Sequence, residues 1–286
     1  MNTSLVSPQT KSHATLGSMI VAVDTGGTKT LIASFDSTGN ATVLTKFPTP
    51  RDQTEYLNAV TATITEANLG IIDAIVIALP GPIKNGVLQR SPNIGWQNFD
   101  VVGAMKERFA DSFVAIGNDA DLAGIAEAHE LEDPRLCLYV TLSTGIGTGL
   151  TFNKKLIPQL RRFEGGSMRI EYGGTRERWE SIASGRNFYE RYGQYGSDVT
   201  DPDKWRDYAE RAASGLIALI PLLEPDHVVI GGSMGTHFAK YDTFLLDTLN
   251  SQITKHMSDV RITQAKRPEE AVIYGCYHYA IDALAG

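Results

Sequence analysis

Residues 24–29 read Asp-Thr-Gly-Gly-Thr-Lys and directly follow an apolar run, a pattern that suggests chemistry at the end of a strand. Two adjacent glycines let the backbone approach an anion closely, and the N–H groups of a tight turn can point at phosphate oxygens. Thr28 and Lys29 add a hydroxyl group and a positive charge, and Asp24 can hold Mg²⁺ directly or through water. A plain turn between two strands also uses glycine, so this segment alone leaves phosphate binding and a simple hairpin open.

A second segment, residues 143–149, places three glycines at alternate positions directly after another apolar run. Each glycine weakens a strand by roughly 0.5–1 kcal/mol relative to alanine, so the pattern indicates a ligand that approaches the backbone closely. A bulge or sharp bend in the strand is the alternative. Because both segments follow the first strand of a similar series of elements, we expect them to face each other across one cleft, with a nucleoside triphosphate between them.

Asn118 and Asp119 stand at a predicted junction between a strand and a helix. Both residue types are common helix caps, which is the simpler interpretation. Phosphoryl transfer to a hydroxyl group needs positioning, charge neutralisation and a carboxylate that accepts the hydroxyl proton, and Asp119 can be that carboxylate. Asn118 offers a donor and an acceptor to a neighbouring sugar hydroxyl.

A further glycine pair, Gly231 and Gly232, follows a short apolar strand predicted at residues 227–230. Ligands of open α/β sheets bind beyond the carboxyl ends of the strands, where glycines can form a shelf for a flat base. An ordinary turn from a strand to a helix is the alternative for this pair.

The predicted strands and helices that must position these residues occur in the same order in both halves of the chain. In the first half, apolar patterns predict strands at residues 19–23, 31–35, 41–47, 72–79 and 114–116. In the second half, they predict strands at residues 136–142, 146–152, 155–160 and 227–230, an irregular stretch at residues 161–174, and helices at residues 236–254 and 268–285. Asp100 and Asp201 are predicted helix caps, the latter followed by Pro202. Two copies of one α/β unit are therefore expected.

The composition is that of a globular protein. The chain has 286 residues, 42% of them hydrophobic, and 26 Lys and Arg against 33 Asp and Glu give a net charge of −7. These values exclude a wholly disordered or fibrous chain, and the length suggests two domains. The acidic balance argues against nucleic acid as a partner, because such binding depends on neutralising phosphates with Lys and Arg.

Cysteine usage and hydropathy indicate the compartment. Cys137 and Cys276 are too few for a disulfide framework and are expected to be small buried residues in a reducing environment. Residues 1–18 lack an apolar core and are interpreted as a flexible tail rather than a signal peptide. No apolar run reaches the roughly 18–20 residues that span a bilayer, so we expect a cytoplasmic protein without membrane contact.

Taken together, several segments resemble the ROK family of sugar kinases and repressors, within the actin-like ATPase-domain superfamily. These segments are residues 24–29, 79–82, 92–96, 118–119, 144–147 and 231–232. The resemblance spans roughly residues 19–285 and implies a duplicated ribonuclease H-like α/β fold with two domains around a central cleft. The implied division is a tail at residues 1–18, an N-terminal domain at 19–130, a C-terminal domain at 131–267, and a final helix at 268–286 that returns to the first domain.

The resemblance also implies roles for individual residues in a phosphotransferase that uses ATP with Mg²⁺. Asp119 is implied to be the base that activates a hexose 6-hydroxyl group, and Asp24 is the candidate magnesium ligand. The implied sugar-binding residues are Asn118, Glu164, Glu180, Asn93 and Gly81. The implied nucleotide- and phosphate-binding residues are Gly26, Gly27, Thr28, Lys29, Thr144, Gly145, Gly147, Gly231 and Gly232. For Glu164 and Glu180, a solvated surface charge is the simpler alternative.

The chain also departs from the family pattern. Ser167 stands where the family has a histidine that binds both sugar and zinc, and residues 172–178 contain no cysteine of the family's cluster. We therefore expect no structural zinc, and recognition around the sugar's 1- and 2-positions is left open. Trp96 could stack on a sugar or anchor its loop, and the acidic residues Glu127 and Glu130 are expected to be solvated.

The function expected from these features is an ATP-dependent sugar kinase of the hexokinase or glucokinase type, in which O6 of glucose or a related aldohexose is the acceptor. An amino sugar or fructose as acceptor, and polyphosphate as donor, stay open. A non-catalytic sugar- or nucleotide-sensing regulator is the main alternative, although the 18 residues before the first strand are too few for a helix-turn-helix module. An actin-like or chaperone ATPase is a third possibility, and a homodimer is a possible assembly.

Overall fold

The computed structural model describes residues 19–257 and 259–286, so the predicted tail at residues 1–18 lies outside the described residues. The first half contains, in chain order, β1 (Met19–Thr25), β2 (Lys29–Phe35), β3 (Ala41–Pro48), α1 (Gln53–Glu66), β4 (Ile72–Leu79), β5 (Ile83–Lys84), β6 (Val87–Ser91), β7 (Trp96–Phe99), α2 (Val101–Lys106), β8 (Phe113–Asn118) and α3 (Asp119–His129). Asp100 caps α2, as predicted, by accepting the N–H of Gly103.

The second half runs on to the C-terminus. It contains β9 (Leu136–Leu142), β10 (Ile146–Phe152), β11 (Lys155–Leu156), β12 (Arg169–Tyr172), β13 (Thr175–Arg178), α4 (Trp179–Ala183), α5 (Gly185–Tyr192), α6 (Pro202–Leu223), β14 (His227–Gly231), α7 (Gly232–Gly235), α8 (Asp242–Met257), β15 (Arg261–Gln264) and α9 (Ala271–Ala285). Single 3₁₀ turns lie at Pro158–Leu160, Gly165–Ser167 and Phe238–Lys240. The cap that Asp201 was predicted to form on α6 is present, through the N–H of Asp203.

The two halves build sheets of the same connectivity. The first sheet has the order β3-β2-β1-β4-β8, and the second has the order β11-β10-β9-β14-β15. In each, the first strand pairs antiparallel with the second strand and parallel with the strand that follows the first crossover. The predicted duplication of one α/β unit is therefore confirmed.

The central strands are buried because helices cover both faces of each sheet, as in α/β folds generally. On one face of the first sheet, Val21 and Ile75 pack with the apolar side of α1. On the other face, Ile20 and Ala22 pack with Ile273 of α9, the last helix of the chain. Both cysteines are buried and free, as expected.

Helices α3 and α9 are in close contact. A Cβ atom at Gly275 of α9 would overlap the carbonyl oxygen of Leu122 in α3, so only glycine permits this approach of the two backbones. Glu127 of α3 is buried, and its two carboxylate oxygens accept the N–H groups of Lys266 and Arg267 at 2.8 and 2.9 Å. The expectation of a solvated Glu127 is therefore wrong, because this side chain fixes the segment that leads into α9.

Some predicted elements differ from the structure. The strand expected at residues 155–160 ends at Leu156, because Pro158 begins a 3₁₀ turn. The irregular stretch and the residues after it form a hairpin of β12 and β13, whose turn places Gly173 and Gly174 at φ 58° and 77°. The helix expected at residues 236–254 is divided into a 3₁₀ turn and α8, and the last helix begins at Ala271.

The sequence also gave no indication of β5–β7, which form a separate three-stranded sheet, or of β15 at the edge of the second sheet. These strands are short and only partly buried, so their sequences lack a clear apolar period. Within residues 19–257 and 259–286, no helix has the length and apolar character needed to cross a membrane.

Candidate active site

The carboxylates of Asp24 and Asp119 lie at one edge of the first sheet because β1, β4 and β8 are parallel neighbours. The register aligns Asp24 with Ala78 and Ala78 with Gly117, so Asp24 and Gly117 are separated by two strand spacings, roughly 10 Å. Asp119 follows two residues later as the first residue of α3. The carboxyl ends of these strands therefore bring two acidic side chains to the same side of the cleft.

Both carboxyl groups have raised pKa values. Burial raises the pKa of Asp24 to about 7, the Asp119 carboxylate adds to the rise, and Lys46 opposes it. Burial likewise raises the pKa of Asp119 to about 6; the N–H of Ala120, which donates to Oδ1 at 2.9 Å, opposes this, and Glu164 adds to it. Among the described residues no donor contacts the Asp24 carboxylate, and a divalent cation is the kind of partner this arrangement of oxygens fits.

Asn118 caps α3 and also holds a neighbouring loop. Its Oδ1 accepts the N–H groups of Ala120 and Asp121 at 2.9 and 3.3 Å, and its Nδ2 donates to the carbonyl of Gly81 at 3.3 Å. The cap interpretation is thus confirmed. Because the amide oxygen is occupied by the helix, the group that Asn118 can still offer a sugar is its second N–H.

Gly81 has a backbone conformation that few other residues adopt. Its φ is 140°, and a Cβ atom there would overlap the carbonyl oxygen of Arg90 in β6. The glycine therefore lets the loop after β4 lie directly against the small sheet of β5–β7.

Hydrogen bonds hold the backbone of the turn at residues 26–29, while the side chains at its end face solvent. The N–H of Gly26 donates to the carbonyl of Lys29 at 2.9 Å, and the Thr49 hydroxyl donates to the carbonyl of Gly26 at 2.8 Å. Thr28 and Lys29 are exposed. The backbone of this turn is therefore positioned without using the side chains that the sequence assigns to phosphate.

Asn93 lies beside this turn, since a Cβ atom at Gly27 would come within 3.2 Å of the Asn93 Cβ. The guanidinium of Arg51 donates to the Asn93 carbonyl, and the indole N–H of Trp96 donates to the Arg51 carbonyl at 2.8 Å. Trp96 is only 2% exposed and packs against Tyr56, so it anchors its loop and does not face a sugar.

The glycines of residues 143–149 are packed against other parts of the protein. The Glu180 carboxylate accepts the N–H of Ile146 at 3.2 Å, and a Cβ atom at Gly145 would overlap it. A Cβ at Gly147 would lie 2.9 Å from the Ala120 side chain, and one at Gly149 would overlap the Ala120 carbonyl. The groups that approach these glycines closely are α3 and Glu180, whereas the approach of a ligand, which the sequence indicated, stays a prediction.

Glu164 lies on a loop that rests on β10. The N–H of Gly165 donates to the Thr148 hydroxyl at 2.9 Å, and a Cβ atom at Gly166 would overlap the carbonyl of Ile146. Glu164 is exposed as a residue, but partial burial of its carboxyl group raises its pKa, the Glu180 carboxylate adds to the rise, and Arg90 opposes it. Glu164 is thus electrostatically coupled to both Glu180 and Asp119. Ser167, one turn further on, is exposed.

The glycine pair at the junction of β14 and α7 contacts the second glycine segment at Ser143. Gly232 has a φ of 78°, and a Cβ there would lie 2.5 Å from the Ser143 hydroxyl, which accepts the N–H of Ser233 at 3.1 Å. The N–H of Gly185 donates to the Ser143 carbonyl at 2.6 Å. Three separate segments of the second half therefore converge on one residue next to Thr144.

Sequence reasoning missed Asp121, Arg90 and Lys46, which are charged groups that act on the cleft carboxylates. Asp121 could have been found, because it shares the first helical turn with Asp119. Arg90 and Lys46 could not, since they reach the cleft from β6 and β3, whose positions depend on the folded arrangement. Among the described residues, no group of three or more His, Cys, Asp or Glu is placed to hold a metal ion, and the expected lack of zinc stays a prediction.

The ROK family model matches residues 20–282, and the chain belongs to this family. It is 27% identical to N-acetyl-D-glucosamine kinase of Shigella boydii serotype 4, over 90% of this chain and 97% of that protein. It is 26% identical to a putative fructokinase of Bacillus subtilis, over 76% of this chain and 77% of that protein. The resemblance stated from the sequence is therefore confirmed.

Solved structures of the family have the same fold. A ROK family glucokinase from Streptomyces griseus, in complex with glucose and AMPPNP, superposes with a TM-score of 0.76 at 21% identity, over 92% of this chain and 99% of that chain. A ROK hexokinase from Thermus thermophilus gives a TM-score of 0.74 at 25% identity, with the same coverage. The duplicated actin-like α/β fold is confirmed, and family membership supports a phosphotransferase with a sugar acceptor without specifying the sugar.

Proposed function

We propose that this protein transfers the γ-phosphoryl group of ATP to a hexose hydroxyl group, with O6 of glucose or a related aldohexose as the acceptor. The observation that carries the proposal is the position of Asp119, at the carboxyl ends of three parallel strands, beside Asp24 and coupled to Glu164 of the second half. Relatives that act on glucose, N-acetylglucosamine and fructose support this class of acceptor.

In this mechanism Asp119 is the base. As the sugar oxygen forms its bond to the γ-phosphorus, the bond from that phosphorus to the β,γ-bridging oxygen breaks and ADP leaves, while the hydroxyl proton passes to the Asp119 carboxylate. A pKa of about 6 keeps this carboxylate mostly ionised at neutral pH and still able to take the proton late in the transfer.

The remaining residues bind and orient the reactants. Asp24 would hold the Mg²⁺ that accompanies ATP, and the metal would supply charge neutralisation on the phosphates. The backbone of Gly26 and Gly27 with the side chains of Thr28 and Lys29 would bind the phosphates from the first half. From the second half, Thr144, Gly145, Gly147, Gly231 and Gly232 would line the nucleotide side of the cleft.

Sugar hydroxyl groups would be bound by the carboxylates of Glu164 and Glu180, the N–H of Asn118, and the loops that carry Asn93 and Gly81. Carboxylates suit this task because they accept paired hydrogen bonds from neighbouring hydroxyl groups. We also propose that residues 19–130 with α9, and residues 131–267, form two domains that close over the sugar and exclude water from the transfer.

A second candidate acceptor is an N-acetylated amino sugar. Ser167 is exposed and shorter than a histidine, which leaves room near the sugar's 2-position, and a relative of this specificity aligns with 90% of the chain. Ser167→His is expected to change the ratio of turnover between glucose and N-acetylglucosamine. Equal ratios in the two proteins would show that this position does not face the sugar.

The test of the proposed function is sugar-dependent ADP release, measured with a panel of hexoses, hexosamines and fructose and with ATP or polyphosphate as donor. Wild type should release ADP only with its acceptor, and Asp119→Asn should abolish most of this release. Sugar binding without turnover would indicate a regulator instead. ATP hydrolysis that needs no sugar would indicate an ATPase of another kind.

A further inference from the structure

A cavity of about 680 Å³ lies between the two halves, on the free side of β8. The first half contributes the tip of the β5–β6 hairpin and residues 114–118, and the second half contributes residues 156, 158, 159, 161 and 162. Neither Asp119 nor Glu164 is among the residues that line it. Its volume is within the range typical of sites for small molecules.

The rim of this cavity is basic. Lys84, Arg161 and Arg162 line it, all three are exposed, and none of them forms an ion pair within the described part of the chain. The Arg161 guanidinium stands 5.8 Å from the ring centroid of Tyr279, another lining residue. Three cations from the two halves of the chain therefore surround one opening that a single acidic side chain, Asp121, also lines, although the protein as a whole has a net charge of −7.

The inner end of the cavity contains a buried carboxyl group. Asp121 is 6% exposed, and no donor within the described residues contacts its carboxyl oxygens. Burial raises the pKa of Asp121 to about 7, although the Arg161 guanidinium opposes the rise. A carboxyl group in this position lacks its own partners and can bond a hydroxyl group of a ligand.

The wall of the cavity between the basic residues and Asp121 is apolar, and it includes the unpaired edge of β8. Val102, Val114 and Ile116 supply apolar surface. β8 pairs with β4 on one side only, so its other edge offers backbone N–H and C=O groups to the cavity. A ligand that fits has an anionic end, hydroxyl groups and an uncharged body.

We propose that this cavity is a second ligand site, which binds a small phosphomonoester with its phosphate at Lys84, Arg161 and Arg162 and a hydroxyl group at Asp121. Phosphate oxygens accept strong hydrogen bonds from guanidinium and ammonium groups, and three cations more than offset the roughly −1.5 to −2 charge of a phosphomonoester at neutral pH. Sugar phosphates and nucleoside monophosphates share this chemistry. Since Asn118 lines the cavity and caps the helix that begins with Asp119, the occupant contacts the element that carries the proposed base.

Isothermal titration calorimetry of the full-length protein tests the proposal with three probes: glucose 6-phosphate, AMP and inorganic phosphate. We expect at least one ester to bind more tightly than inorganic phosphate, and the tighter ester identifies the source of the ligand. Arg162→Glu and Lys84→Glu should each weaken that binding by about tenfold or more, because a repelling charge replaces an attracting one.

Lys255→Glu is the matched control, since it reverses another exposed charge, at the end of α8, and should leave binding unchanged. Thermal melting of each variant verifies the fold. Three results would overturn the proposal: no binding of either ester at millimolar concentration, inorganic phosphate binding as tightly as both esters, or ester binding that survives both substitutions and therefore occurs in the catalytic cleft. None of these measurements requires turnover. Glucose 6-phosphate is also the product of the proposed reaction, so only the part of its binding that Arg162→Glu and Lys84→Glu remove is assigned to this cavity.

Discussion

The two halves of this protein share one strand order but use the ends of their strands differently. At the ends of β1 and β8 the first half presents Asp24 and Asp119, whose pKa values are raised and neither of which forms an ion pair among the described residues. After β9, the second half presents glycines that contact Glu180 and α3. The same fold therefore carries electrostatic strain at one edge and tight packing at the other.

The difference extends to the two glycine segments that looked alike in the sequence. A Cβ atom at Gly26 or Gly27 would come to 3.2 Å from its nearest neighbour, a contact that a small shift relieves. A Cβ atom at Gly145 or Gly149 would overlap Glu180 or the backbone of α3. Two segments of similar composition thus differ in packing. The glycines of the first have more space beside them, whereas those of the second are crowded by Glu180 and α3, and the second segment still exposes Thr144.

The largest expected effect concerns the base. Asp119→Asn should lower kcat by about 10²–10⁴-fold, because the amide cannot accept the hydroxyl proton, while the Kd for ATP stays near that of wild type. Steady-state kinetics and calorimetric titration of ATP measure the two quantities. If the variant retains near wild-type kcat, the first half does not supply the base and the contrast between the halves disappears.

The second prediction separates the two glycine segments. Gly149→Ala should lower the free energy of unfolding by about 1–3 kcal/mol, since the new methyl group forces α3 and β10 apart. Gly27→Ala should leave stability close to that of wild type and raise the KM for ATP. Chemical denaturation measures the stability of both variants, and steady-state kinetics measures their KM for ATP. Equal losses of stability in the two variants would contradict the prediction.

The third prediction concerns pH. The pKa of Asp24 in the folded protein is about 7, above its usual value of 3.8, so the folded state binds more protons between these values and loses stability as pH rises through them. Asp24→Asn should therefore melt at the same temperature as wild type near pH 4 and at a higher temperature at pH 8. Melting curves across this range measure the gain, roughly 2–4 °C for each kcal/mol.

A lower melting temperature for Asp24→Asn at pH 8 would contradict this prediction, because it would reveal a stabilising partner for the carboxylate. The effect of this substitution on activity should be opposite to its effect on stability. The same variant should lose turnover and its dependence on Mg²⁺ concentration, which distinguishes a strained functional group from one that stabilises the fold.

The smallest effect is expected in the β12–β13 hairpin, which forms a two-stranded sheet of its own. Gly174→Ala places a Cβ at φ 77°, and should destabilise the hairpin by about 1 kcal/mol or less because β13 is fully exposed. Gly174→Asn is the control, since asparagine tolerates this conformation better. Hydrogen exchange of the hairpin should increase in the alanine variant only; equal exchange in both would show that the turn does not limit local opening.

The sequence predicted the elements whose formation depends on residues close together along the chain. The apolar runs of β1 and β4 and the caps Asp100, Asn118 and Asp201 need only neighbouring residues to be interpreted, and all of them are present. The small strands β5–β7 and the β12–β13 hairpin pair with near neighbours along the chain, but their short sequences lack an apolar period that would mark them as strands. Glu127 was misjudged for a different reason, because its partners lie about 140 positions away along the chain.

In the candidate site, too, some features could be predicted from neighbouring residues and others could not. The residue types at positions 24, 118 and 119 indicated their chemistry, and the strand register brings them to one edge. The roles of individual glycines in residues 143–149 could not be deduced, because the atoms that crowd them belong to α3 and α4.

The contact between Gly275 and Leu122 has a mechanical consequence. The chain passes between its halves through the neighbourhood of α3 and α9, and at this point two backbones touch with no side chain between them. Both helices belong to the same proposed domain, so this contact fixes α9 directly on α3. A bulkier residue at position 275 would force the backbone of α9 away from that of α3.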